Sequence, residues 1–142
     1  MHKHDHDHDH AQAGLYAEDG VIPAVYSETR RSSFAPATTG AALAGRLADV
    51  IDDVAAFIQE RGGFIGHIKL HARDLAVDSE AALWLSSTGR NVSCRACGGW
   101  NEREVSEAEI GFTAIALAVE ETELASFAHR FVFGDADAEA HS

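Results

Sequence analysis

Histidine occupies positions 2, 4, 6, 8 and 10 of the chain, and aspartate positions 5, 7 and 9. His2, His4, His6, His8 and His10 bring five imidazoles into one short segment, with Asp5, Asp7 and Asp9 between them. Both groups ligate divalent transition metals. Neutral imidazole is the ligating form, so affinity falls as pH drops below about 6.5. In an extended chain alternate side chains project to one side, about 6–7 Å apart, and a flexible tract can fold several around one ion. Such a site is labile and ranks metals by the Irving–Williams order, which suits buffering or delivery better than catalysis. The tract holds no apolar residue after Met1 and cannot join a core. Two origins stay open: a natural metal-handling tract, or an expression tag.

The second candidate is the run Cys94-Arg95-Ala96-Cys97-Gly98-Gly99. Its Cys-x-x-Cys-Gly spacing resembles half of a zinc-ribbon or rubredoxin-type knuckle. Two intervening residues let both thiolates reach one ion at about 2.3 Å, and a trailing glycine permits the turn that aims N–H groups at sulfur. The chain has no second cysteine pair. Three completions are open: a histidine of the domain as third ligand, the same pair from a second protomer across a two-fold axis, or a redox dithiol without metal. Two small residues packed together by chance are the plain alternative.

A third set lies on Phe64-Ile-Gly-His-Ile-Lys-Leu-His-Ala72, where apolar and polar residues alternate. His67, Lys69 and His71 share one strand face, but four residues along a strand separate the two imidazoles by about 13 Å, too far to share an ion. With Lys69 between them, the three fit a small anionic ligand better than a cation. Ser86, Ser87 and Thr88 lead into Gly89 as a hairpin turn and could border the same pocket. His129 reads as a histidine at the core's edge, and Trp84 and Trp100 as packing residues. No phosphate-binding Gly-x-x-x-x-Gly-Lys, His-Glu-x-x-His, Gly-x-Ser-x-Gly or dinucleotide fingerprint is present.

Elements with clear periodicity must position these groups. Leu43, Leu47, Val50, Val54 and Ile58 form one apolar stripe and predict a helix from about 39 to 61, capped by Thr38 or Thr39 and stopped at Gly62-Gly63. The period then changes to two. Residues 64–72, 82–87 and 91–96 predict strands, the last two joined as a hairpin. A short edge strand is expected around 21–27, with Pro23 restricting it, and 98–107 reads as loop. The stretch 110–119 reads as a buried strand, with a helix as its rival, and Leu124, Phe127, Ala128 and Phe131 space as a second helix over about 122–132. The expected architecture is α+β: a two-layer sandwich with a mostly antiparallel sheet of three to five strands, a long N-terminal helix and a shorter C-terminal one. It is expected as one domain over 15–134, between a disordered arm at 1–14 and a disordered acidic tail at 135–142.

The 142 residues carry 23 acidic against 11 Lys and Arg side chains, a net charge of −12. Such a balance repels phosphate backbones and excludes nucleic acid as an expected partner. Two cysteines are too few for a disulfide framework. The longest apolar run is too short to span a bilayer, so no membrane partner is expected, and the cytoplasm is the expected location. The leading functional expectation is a metal-binding protein, without catalysis, in Zn²⁺, Ni²⁺ or Co²⁺ handling, zinc first. Cys94 and Cys97 would hold an ion, at a homodimer contact in one completion, with a metal-handling protein as partner. The alternatives are an enzyme or ligand-binding domain with a pocket on the sheet face, or an oligomeric interaction module.

Overall fold

The computed structural model describes residues 22–130. The His/Asp tract and the acidic tail lie outside them. Element order is β1 (Ala24–Thr39), α1 (Gly40–Glu60), β2 (Phe64–Asp74), β3 (Ala82–Ser87), β4 (Val92–Cys97), a 3₁₀ turn (Trp100–Glu102), β5 (Glu104–Leu117) and α2 (Glu121–His129). The five strands form one antiparallel sheet in the order β1-β5-β2-β3-β4. Both helices pack on the same sheet face, so the architecture is the expected α+β sandwich.

Helix α1 turns its apolar stripe to the sheet. Leu43, Leu47, Ile51, Val54 and Ile58 are buried in one cluster with Ile68, Leu70, Leu83, Leu85, Ile110 and Phe112 from the strands. Burying each such side chain contributes about 1.5–3 kcal/mol. Thr39 accepts the Ala42 N–H through its hydroxyl at 3.1 Å and starts the helix. Past the helix end, Gly62 N–H donates to the Gln59 carbonyl and Gly63 N–H to that of Ile58, with Gly62 left-handed at φ +79°.

Helix α2 closes the core over β1. Leu124 and Ala128 are buried, and the Phe127 ring stacks on Phe57 of α1 at 4.1 Å. Its two ends are tethered to β1. Glu121 accepts the Val25 N–H, and His129 Nδ1 lies 3.1 Å from the Glu28 carboxylate. His129 is thus a hydrogen-bonded residue at the core's edge, as its spacing predicts. Burial pushes the Glu28 carboxyl up, but hydrogen bonds from Tyr26 and His129 outweigh it and leave Glu28 below the usual glutamate value.

Two expected boundaries are corrected. Strand β1 runs to Thr39, far beyond the expected 21–27, with a register shift between Ser33 and Thr38 around Pro36. Strand β5 begins at Glu104, inside the expected loop, and pairs on both edges, with β1 and with β2. Those central pairings settle the 110–119 ambiguity in favour of the strand.

One buried carboxylate holds the β2–β3 connection to the start of β5. Asp74 is 1% exposed. It accepts hydrogen bonds from Ser79 Oγ at 2.7 Å, Arg103 Nε at 2.8 Å and the Ala76 N–H at 3.2 Å. Burial raises its carboxyl, and the three donors together more than reverse that, leaving it below the ordinary aspartate value.

Candidate functional site

Among the described residues no element covers the sheet face away from the helices, and its register sets side chains in rows. Cross-strand partners place Thr29, Gly111, His71, Trp84 and Arg95 in one row. The next row is Ser27, Thr113, Lys69, Ser86 and Ser93. Neighbouring strands stand about 4.8 Å apart and successive rows about 6–7 Å apart. These ten residues line a concavity of about 580 Å³. Inward-facing Leu70, Leu85, Cys94 and Phe112 alternate with them along the strands and form the floor.

The charge of this groove differs from that of the chain. Lys69 and Arg95 line it together with His71, and among the described residues no carboxylate does, although acidic residues outnumber basic ones 23 to 11 in the full sequence. The carboxylates nearest along the face are already paired. Glu109 lies 3.2 Å from Arg73, and Glu107 lies 3.7 Å from Arg31. Lys69 has no ion-pair partner among the described residues. Hydroxyls fill the rest of its row, with Ser27 Oγ and Thr113 Oγ1 bonded to each other at 3.0 Å.

Trp84 stands between His71 and Arg95 in the upper row and is 37% exposed. The Arg95 guanidinium lies 4.9 Å from its ring centre and the His71 ring 5.1 Å away, tilted by 47°. The packing role read from sequence holds for Trp100 in the core, 1% exposed, and for Trp84 on the open face, where it packs against Arg95 and His71. Gly111 in the same row carries no side chain in the middle of a 14-residue strand, which deepens the groove between Thr29 and His71.

The expected pocket residues divide. His71, Lys69 and Ser86 come together in the groove. His67 is on the same face one row further along, opposite Ile115, and is not part of the lining. Ser87 has the opposite parity. It is buried on the helix side, and its Oγ accepts the Gly89 N–H at 2.9 Å. Thr88 is exposed in the hairpin turn, away from the groove. Ser93, Arg95, Thr113 and Gly111 were missed, and strand parity is the signal that places them.

Cys94 and Cys97 lie three residues apart on β4, both exposed and unbridged. An odd spacing on a strand sends side chains to opposite faces. Cys97 pairs with Ala82 on the open face, and Cys94 pairs with Leu85 on the helix side. The knuckle geometry expected for the pair needs a turn between the sulfurs, and here the turn comes after them. Gly98 and Gly99 are left-handed at φ +64° and +75°, and a Cβ on Gly98 would sit 2.2 Å from the Glu80 carbonyl oxygen. These glycines thus serve the chain reversal that leads into the 3₁₀ turn. No group of three His, Cys, Asp or Glu side chains suited to a metal ion occurs among the described residues. None of their helices is long and apolar enough to cross a membrane.

No protein-family model matches the chain, and no curated protein does. Among solved structures it is similar to a Zn(II)-bound YjiA GTPase from E. coli, with 14% identity and a TM-score of 0.35. A Zn(II)-bound triple mutant of YjiA GTPase gives 14% and 0.36. In both, the match covers 72% of this chain and 28% of the GTPase chain, so the present chain spans under a third of the length of these neighbours.

Proposed function

We propose that this chain is a ligand-binding module that takes a small organic anion on the open face of its sheet. The observation that supports the reading is the groove's lining: Lys69, Arg95 and His71 with no carboxylate among the described residues, in an otherwise acidic molecule. An ammonium and a guanidinium beside serine and threonine hydroxyls form a donor set suited to carboxylate or phosphate oxygens. The surrounding negative charge disfavours anions elsewhere on the surface and confines them to this groove.

Pyrophosphate and citrate are suitable probes, followed by calorimetry and by the fluorescence of exposed Trp84. At least one is expected to saturate the protein at a single site, and Lys69→Ala is expected to weaken it about tenfold, the loss of one charge-assisted contact of about 1.5 kcal/mol. Absence of saturable binding by both probes, or an unchanged affinity in Lys69→Ala, would sink the reading.

A second reading rests on the His/Asp tract. His2 to His10 would collect Zn²⁺, Ni²⁺ or Co²⁺ loosely. Elemental analysis after dialysis against dilute Zn²⁺ separates the two ideas. Full-length protein is expected to retain metal, and protein lacking residues 1–10 to retain under a tenth of an equivalent while binding pyrophosphate normally. Equal metal in both would move the site into the domain.

A further inference from the structure

The groove has an aromatic end as well as a charged one. Along the upper row the order is Arg95, Trp84, His71, Gly111, Thr29. The first three are in contact: the guanidinium lies over the indole at 4.9 Å, and the imidazole lies 5.1 Å from the indole, tilted by 47°. The next position in the row is Gly111, where the side chain is a hydrogen atom. The slot it leaves lies between His71 and Thr29, two strand spacings apart, or about 9–10 Å. That width admits one flat ring standing beside the His71 imidazole. Below it is bare backbone, which a ring can approach closely. Lys69 and Thr113 are the next outward-facing residues along β2 and β5 from His71 and Gly111, one row away. A diagonal cross-strand neighbour lies about 7–8 Å off, the order of the separation between the ring and the phosphorus of a nucleoside monophosphate.

Resting on the anion reading above, we infer that the natural ligand is a phosphomonoester joined to a flat heteroaromatic ring. The ring enters the slot over Gly111 against the His71 imidazole, at the end of the Arg95–Trp84–His71 row, and the phosphate sits on Lys69 with the hydroxyls of its row. Stacking favours rings without strict base preference, so the class is set by flatness and the charge by Lys69.

The test compares AMP with ribose 5-phosphate, which shares the sugar phosphate and lacks the ring. Calorimetry on the full chain is expected to show AMP binding at least about fivefold tighter, the smaller of the gains that base stacking provides. Gly111→Val fills the slot without touching a charged residue. Its Cβ would lie 3.3 Å from Thr29 Oγ1, a contact the hydroxyl can relieve by rotating, and valine suits a strand. In this variant AMP is expected to fall to the affinity of ribose 5-phosphate, with pyrophosphate binding within twofold of the parent and an unchanged thermal melt. Should Gly111→Val fail to fold, His71→Ala takes its place and is read by the ratio of AMP to ribose 5-phosphate affinity alone, because His71 also lines the anion site. Equal affinities for AMP and ribose 5-phosphate in the parent, or an AMP advantage that survives both substitutions, would overturn the ring assignment while leaving the anion groove intact. Failure of pyrophosphate, citrate and both sugar phosphates to bind would remove the groove and the ring assignment together.

Discussion

Replacing Trp100 by alanine is expected to lower the folding free energy by about 3–5 kcal/mol, the usual cost of deleting a buried large aromatic. Trp100 is the largest fully buried side chain among the described residues, and it joins two parts of the chain far apart in sequence. Its indole N–H donates to the Gly40 carbonyl at 2.8 Å, and the Gly40 N–H donates to the Arg103 carbonyl at 2.8 Å. The start of α1 is thereby fastened to the turn between β4 and β5. The fit is close: a Cβ on Gly40 would fall 1.7 Å from the Trp100 carbonyl oxygen. Trp100→Phe keeps most of the apolar contact and loses the hydrogen bond, so it should cost less than the alanine variant. Urea unfolding followed by circular dichroism measures both losses. A midpoint for Trp100→Ala within error of the parent would show that the helix start does not depend on this contact.

Asp74→Ala is expected to cost about 2–3 kcal/mol at neutral pH, because it strands the Ser79 hydroxyl and the Ala76 N–H and removes the charged partner of Arg103. Arg103 itself is 40% exposed in its side chain, so water takes up part of its loss and the full penalty of a stranded buried charge is not expected. The effect has a pH signature. The folded Asp74 carboxyl titrates below its unfolded value, so the folded state binds that proton less tightly. Its contribution is fully present above the unfolded value of about 4 and is lost as pH falls through the lower folded value. Urea midpoints at pH 7, 5 and 3 should show parent and variant converging toward the acid end. A gap that stays constant with pH would contradict this assignment. Glu28, also held low, adds acid sensitivity of the same sign in both proteins.

How much of this was legible in the sequence depended on whether one periodicity governed each segment. Helix α1 carries a single apolar stripe between a threonine cap and a glycine stop, and its reading from 39 to 61 matches Gly40–Glu60. Strand β2 alternates as read from His67 onward, but a register shift between Ile65 and His67 turns Phe64 to solvent and Ile65 to the core, the reverse of the alternation in the sequence. Strand β1 was not legible in this way. Beyond Tyr26 its inward positions are Glu28 and Arg30, held by polar contacts near α2 rather than by apolar burial, and Pro36 falls at its register shift. A strand whose inner residues are charged leaves no alternation to read. The first residues of β5, Glu104 to Glu109, are rich in charge because their side chains on the open face meet arginines from β1 and β2.

The site shows the same division. Parity alone separates Leu83 and Leu85 from Trp84 and Ser86, and so puts the tryptophan on the face of Lys69 and His71. Parity also separates Ser86 from Ser87, and Cys94 from Cys97. What single-strand parity does not give is which strands are neighbours. Gly111 and Thr113 reach the groove because β5 lies between β1 and β2, a long-range pairing that no local pattern encodes.

The arrangement of β4 fixes how the protein responds to oxidants. Two thiols that point to opposite sides of a strand cannot close a bridge within one chain without breaking the ladder that holds them. Both are nonetheless open to solvent. Peroxide or diamide would therefore drive covalent coupling between molecules, and each sulfur would take up an alkylating reagent independently of the other. A reducing milieu prevents that coupling, and crosslinked ladders on a non-reducing gel would record its absence.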